Sequence, residues 1–427
     1  MKPNVYESYT KILKAELVPA LGCTEPIALA YAAARSVEIL GGFPDRMEAL
    51  CSGNIIKNVK GVKVPNSGGL KGVEAAVILG ACGGTADKEL EVLESVTEDD
   101  RMRTRELLAA RFCSCLLKDG VPNLFIEIRS YKGEDSSVVR IEQKHTNITY
   151  MEKNGEVLYQ KDAVETQKAL DKSLLNLEDI ITYAREVDLD DVRDVLERQI
   201  DYNTAISDEG LQNRWGAGVG QTVLEEFGDD VKWRAIARAA AGSDARMSGC
   251  SLPVIIISGS GNQGMTCSLP VIEYARSTGK THEELLRALC VSNLTAQDQK
   301  RYIGPLSAYC GAVCAAAGAG AGITFLCGGT TEQIENTVIN TIVNAGGITC
   351  DGAKPSCAAK IFASLQAAFL GHRLAMKGFR FEAGEGLAMD TAEDTVKAIG
   401  YMGREGMRQT DIEILNLMIG KTDLASI

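Results

Sequence analysis

The chain has 427 residues, about three times a usual domain length of roughly 150 residues, which leaves room for a large domain and a smaller one. Its 57 acidic against 45 basic residues give a formal net charge of -12, so the basic footprint of a nucleic-acid or anionic-membrane partner is missing. With 13 cysteines, an odd number, complete intramolecular pairing is excluded; no apolar leader follows Met1, and a reducing, cytoplasmic setting is expected.

The 43 glycines stand against only 9 Phe, 12 Tyr and 2 Trp, so the core must be built from small side chains and closely approaching backbones. Tyr6 to Leu17 reads as an amphipathic helix. A second helix is expected from Thr24, which can cap, with Glu25 and Pro26 in its first turn and Gly41-Gly42 as its stop. Ser52 to Gly72 is rich in Gly, Asn and Lys and reads as loop; Glu98 to Leu117 reads as a solvated helix. Alternating runs at 123–129, 137–142 and 147–151, with Asn154-Gly155 before Val157, predict antiparallel strands and a hairpin. Leu177 to Ile200 is acidic and helical in pattern.

No charged residue lies between Arg246 and Glu273, or between Arg301 and Glu332. Pro253, Pro270 and the polar run 258–264 argue against a membrane span in the first stretch, and low Leu/Ile density argues against one in the second. Gly311 to Gly322 is instead expected to be a helix buried on all sides. Cys250-Ser-Leu-Pro-Val254 recurs as Cys267-Ser-Leu-Pro-Val271, which suggests two similar element entries around a Gly-rich loop. The fold class expected is α+β. Residues 1–87 and 169–427 form a large, mainly α-helical domain rich in small residues, and 88–168 form a small α+β module with an antiparallel sheet.

Four thiols near the C-terminus are the strongest chemical signal. Cys310 and Cys314 lie four apart on the Gly/Ala helix, and Cys350 and Cys357 bracket a turn-forming segment. This spacing fits neither a zinc ribbon nor the ferredoxin run. It offers three ligands, two from one loop and one from a buried helix, which on a four-iron cluster leave one iron open; the plain alternative is core-filling thiols. Cys23 directly precedes a helix, where the dipole favours thiolate, and a buried cysteine is the alternative. The loops Gly53–Asn58, Pro65–Gly69 and Ser258–Gly264 could present backbone donors to a carboxylate, or be plain turns. His145, His282 and His372 are isolated and expected at the surface, so base duty falls to Cys, Lys, Asp or Glu. Nothing in the sequence convincingly resembles a pyridoxal phosphate enzyme, and Lys57, Lys60, Lys63 and Lys354 are left as the candidates for a Schiff base.

Several motifs in order, Leu21-Gly-Cys-Thr-Glu-Pro26, Gly53-Asn-Ile-Ile-Lys-Asn58, Val64-Pro-Asn-Ser-Gly-Gly69, Ser243-Asp-Ala-Arg-Met247, Gly259-Ser-Gly-Asn-Gln-Gly264 and Thr349-Cys-Asp-Gly-Ala-Lys-Pro-Ser-Cys357, resemble the oxygen-sensitive L-cysteine desulfidases over nearly the whole chain. The C-terminal part is similar, more distantly, to the α chain of iron–sulfur L-serine dehydratases. The resemblance implies a [4Fe–4S] cluster held by Cys310, Cys350 and Cys357, with Cys314 competing for the first position. It further implies Cys23 as proton acceptor, and substrate contacts from Asn66, Ser67 and Gly68 together with Asn262 and Gln263. The partner implied is L-cysteine, with no nucleic acid and no membrane; a homo-oligomer is left open. The pattern of the second domain or chain that accompanies the serine dehydratases is missing, which weighs against serine as principal substrate.

Overall fold

A computed structural model describes residues 1–161 and 170–426. Helix α1 (Pro3–Glu16) opens with proline, whose fixed φ suits a first turn, and buries Tyr9, Ile12 and Leu13. Strand β1 (Pro19–Leu21) leads into α2 (Thr24–Leu40), which stops at Gly41 in the left-handed conformation at φ 85°. Cys23, not Thr24, occupies the position ahead of this helix, and Thr24 is its first helical residue. After β2 (Arg46–Cys51), the stretch expected as loop contains α3 (Gly53–Lys60). Burial of Ile55, Lys57, Asn58 and Val59 holds it against the poor helix propensity of Gly and Asn. Helix α4 (Val73–Gly83) packs on α2 so closely that a Cβ on Gly80 would lie 2.4 Å from the Ala30 carbonyl oxygen.

Helix α5 (Glu98–Ala109), capped reciprocally by Thr97 and Asp100, is shorter than the expected 98–117 because β3 (Cys113–Leu117) follows. Then come β4 (Phe125–Lys132), β5 (Asp135–Glu142), β6 (Ile148–Lys153) and β7 (Glu156–Gln160). The six strands are ordered β3-β2-β4-β5-β6-β7, antiparallel except for the parallel β2–β3 pair. Asn154 and Gly155, both at positive φ, make the β6–β7 hairpin turn. Strand β2 comes from residues 46–51, so the sheet reaches beyond the expected 88–168 module and is mixed, not purely antiparallel. Residues 162–168 of that module lie outside the described residues. Helix α2 covers the sheet, with Ser36 Oγ 2.7 Å from Ser130 Oγ and 2.9 Å from Ser137 Oγ.

The acidic stretch 177–200 forms two helices, α6 (Leu177–Glu186) and the start of α7 (Arg193–Gln212). The remainder is α8 (Val219–Phe227), α9 (Val231–Met247), β8 (Pro253–Ile255), α10 (Gly261–Ser277), α11 (His282–Ile303), α12 (Gly311–Leu326), α13 (Thr331–Ala345), α14 (Cys357–Met376), α15 (Ala392–Tyr401) and α16 (Arg408–Met418). The Gly/Ala helix α12 is buried nearly all round, enclosed by α10, α11, α13 and α14. A Cβ on Gly318 would fall 2.4 Å from the Ser292 carbonyl oxygen, so α11 and α12 also meet backbone to backbone. The two Cys-Ser-Leu-Pro-Val copies differ in role: the first enters β8, while the second lies inside α10 with Pro270. The fold is α+β and mainly helical. Among the described residues no helix is long and apolar enough to cross a membrane.

Candidate active site

Two short pairings bring distant segments together. Strand β1 pairs antiparallel with β8, Ala20 opposite Val254, and Thr24 Oγ1 donates to the Gly259 carbonyl at 2.7 Å. Gly22 turns the chain at φ 56°, and a Cβ there would meet Pro65 Cγ at 2.3 Å. The second pairing is a bridge between Tyr309 and Thr349. Cys310 N–H donates to the Ile348 carbonyl at 3.0 Å, and Cys350 N–H to the Ala308 carbonyl at 2.6 Å, which sets the two cysteines side by side. Cys357 opens α14 and packs against Cys23, Val62 and Met247.

These segments wall a cavity of about 840 Å³, large enough for an amino acid and a sizeable cofactor. Cys23, Asn262, Gln263, Cys310, Cys350 and Cys357, all singled out from the sequence, line it. Asn66, Ser67 and Gly68 do not: the Asn66 amide donates to the Leu93 carbonyl at 2.9 Å, and the Ser67 hydroxyl to the Leu70 carbonyl at 3.3 Å. This loop supports the Gly22 turn through Pro65. Cys314 faces Lys300 one turn deeper in α12 and is also outside the lining. The Gly53–Asn58 segment is helix, not a nest of backbone donors, and contributes the Asn58 side chain. Helices α2, α10, α12 and α14 all point their N-termini at the cavity, an arrangement favourable to anions.

Cys23 donates to Glu25 Oε2 at 3.0 Å, and Asn58 Nδ2 donates to Glu25 Oε1 at 2.9 Å. Burial, reinforced by the Glu25 carboxylate, pushes the Cys23 thiol well above its ordinary value, against the pull of Arg246. The resting residue is therefore a neutral thiol, not the thiolate that its helix-terminal position predicts. Burial would raise Glu25 as well. The His145 ring, the Cys23 thiol, the backbone and Arg246 together hold it below the ordinary carboxylate range. Burial lowers His145, so with a neutral imidazole the hydrogen bonds and Arg246 carry most of that task.

Elsewhere in the lining the Cys310 thiol donates to Cys350, which lowers Cys350 toward thiolate against the effect of burial. Lys57, the Gly352 N–H and Lys360 assist, and the same bond pushes Cys310 up. Lys57 is itself ion-paired with Asp411, which removes it from Schiff-base duty. Lys300, buried beside Cys314, Cys350 and Cys310, has its pKa lowered chiefly by burial.

A family model for the serine dehydratase alpha chain matches residues 87–416. The chain belongs to the serine dehydratase alpha chain family. A "UPF0597 protein" of Lachnoclostridium phytofermentans is 52% identical to this chain over 416 residues, covering 97% of this chain and 100% of that protein. One of Finegoldia magna is 48% identical over 417 residues, covering 97% and 100%, and one of Fusobacterium nucleatum 41% over 420, covering 96% and 98%.

The serine dehydratase alpha chain match takes in His145, Arg246 and the three cavity cysteines, whereas Cys23 and Glu25 precede it. Sequence reasoning missed four members of the site. His145, expected at the surface, is buried, and so are Glu25, Asn58 and Arg246. His372 is buried too, but away from the cavity; His282 alone matches the expectation, its side chain 53% exposed. Arg246 had a signal, since it sits inside the Ser243–Met247 motif. His145 had none, because it reaches the cavity from the turn between β5 and β6.

Proposed function

We propose that the protein is an L-cysteine desulfidase, converting L-cysteine and water to hydrogen sulfide, ammonia and pyruvate by β-elimination. The observation that carries this reading is the opening of three thiols and a thiol–carboxylate pair into one cavity. Among the described residues, no three His, Cys, Asp or Glu side chains close around one point as a single ion requires. Three thiols on one cavity suit thiophilic iron, and Lys57, Lys300, Lys354 and Lys360 offset the charge of thiolates. Cys310, Cys350 and Cys357 would hold a [4Fe–4S] cluster, which would supply a Lewis acid for the departing sulfur.

The chain's own residues handle the proton. The Cys23 sulfur takes the α-proton as its thiol proton passes to Glu25 along their 3.0 Å hydrogen bond, so no free thiolate forms where burial disfavours one. The pair thus acts as one base, and a positioned base contributes about 10²–10⁴-fold. The proton left on the pair goes to the departing hydrosulfide, which restores the resting thiol and carboxylate. Gln263 Oε1, buried at the cavity without a hydrogen-bond partner, accepts from the substrate ammonium. The aminoacrylate left behind tautomerises and hydrolyses to pyruvate and ammonia without further help.

The test is anaerobic turnover. L-Cysteine should yield sulfide and pyruvate in equal amounts. Cys350→Ser should lose brown colour and activity together, and Cys23→Ala should keep the colour and lose turnover. Full activity in Cys23→Ala refutes its role. The match to the serine dehydratase alpha chain favours a second reading, dehydration of L-serine. A higher kcat/KM for pyruvate from serine than from cysteine would decide for it.

A further inference from the structure

Arg246 lies in the last turn of helix α9 and is 3% exposed, with its side chain at the cavity wall. Its Nη1 donates to Asn262 Oδ1 at 3.1 Å; its Nε has no hydrogen-bond partner, and among the described residues it forms no ion pair. A buried guanidinium offers five donors in a planar fork matched to a carboxylate, and leaving them unmet is costly. The fold also makes room for this group. A Cβ on Gly261 would fall 2.4 Å from Arg246 Nε and 2.7 Å from its Cζ, so the bare backbone at the start of α10 is what admits it.

We propose that Arg246 is the carboxylate anchor of the site: with Asn262 orienting it, its guanidinium takes the α-carboxylate of the amino acid. This deepens the elimination reading and rests on it. The Pro65–Gly69 loop, expected from the sequence to serve as the carboxylate nest, lies behind Gly22 with its Asn66 amide already engaged. A carboxylate on Arg246 is also at the proton-handling end of the cavity. Met247, the next residue, packs in one apolar cluster with Cys23 and Cys357. Arg246 is therefore a substrate-binding and specificity-determining residue, selecting amino acids with a free α-carboxylate over thiols and amines without one.

The test is calorimetry on the anaerobically purified full chain with two thiols of similar size, 3-mercaptopropionate and 3-mercaptopropan-1-ol. Wild type should prefer the carboxylate by about 10- to 100-fold, the range of a charge-assisted contact. Arg246→Gln should reduce that preference to about threefold or less, and Arg246→Lys should retain part of it. Gly261→Ala, which keeps the charge but crowds the guanidinium, should also reduce it, and it decides the matter if Arg246→Gln does not fold. An undiminished preference in Arg246→Gln or Gly261→Ala, or no preference in wild type, overturns the proposal. Because the preference is read without turnover, a protein that forms no pyruvate sinks the elimination reading and leaves the anchor to be judged on its own.

Discussion

Lys57 and Asp411 form an ion pair across the molecule, between α3 and the C-terminal α16, with side chains 1% and 13% exposed. Lys57 Nζ also donates to the Cys350 carbonyl at 3.2 Å, and Asp411 Oδ2 accepts from Asn54 Nδ2 at 2.6 Å. Breaking a buried pair from one side typically costs about 3–5 kcal/mol, because the remaining charge is stranded; the slight exposure of Asp411 brings the expectation for Lys57→Met to about 2–4 kcal/mol. Removing both charges leaves no charge stranded. Lys57→Met/Asp411→Leu should therefore lie within about 1.5 kcal/mol of wild type, the difference being the lost hydrogen bonds to the Cys350 carbonyl and from the Asn54 amide. Denaturant unfolding of the four proteins under argon closes the double-mutant cycle, and a coupling of about 2 kcal/mol or more is expected. Limited proteolysis should release α16 earlier in Lys57→Met than in the double variant. A single variant within about 0.5 kcal/mol of wild type, or a double variant worse than the single, would refute the reasoning.

Other outcomes follow from the same geometry. A Cβ on Gly311 would meet the Gln263 amide carbon at 2.5 Å; a side-chain tip can yield, so Gly311→Ala should raise the KM for the amino acid several-fold while stability changes by about 1 kcal/mol or less. Cys310→Ser should lower iron content and visible absorbance, whereas Cys314→Ser, outside the cavity lining, should keep both. Burial lowers His372 from 6.5 to about 4, so between those values the folded state binds fewer protons than the unfolded chain. The stability it contributes is full above pH 6.5 and is lost as pH falls toward 4, a swing of about 3 kcal/mol that His372→Gln should remove from the acid limb of a stability profile.

Helices α1, α2 and α12 and strands β4 to β7 were legible because their apolar patterns and stops are local: Gly41 ends α2, and Asn154-Gly155 turns the hairpin. Helix α3 was not, since Gly53 and Asn54 read as loop until Ile55, Lys57 and Val59 find a shared wall to bury against. The repeated Cys-Ser-Leu-Pro-Val makes the same point, one copy becoming strand entry and the other helix interior. Within the site, the three cavity cysteines and Cys23 stood out by chemistry and motif. The protonation of Cys23 did not, because the helix terminus argues for thiolate while the buried Glu25 carboxylate 3.0 Å away argues more strongly for thiol. His145 becomes a functional candidate only when tertiary packing buries it at the cavity near Glu25 and Arg246, the latter marked beforehand by nothing but its motif.

The cavity takes its walls from residues 23–25, 145, 246, 262–263, 310 and 350–357, scattered over most of the chain. During synthesis no early fragment can assemble it, and the last thiol leaves the ribosome long after the first. The cofactor proposed above would therefore meet a nearly finished fold. A chain ended before Cys357 would lack part of the lining, whereas the segments beyond Ile361 add none of it.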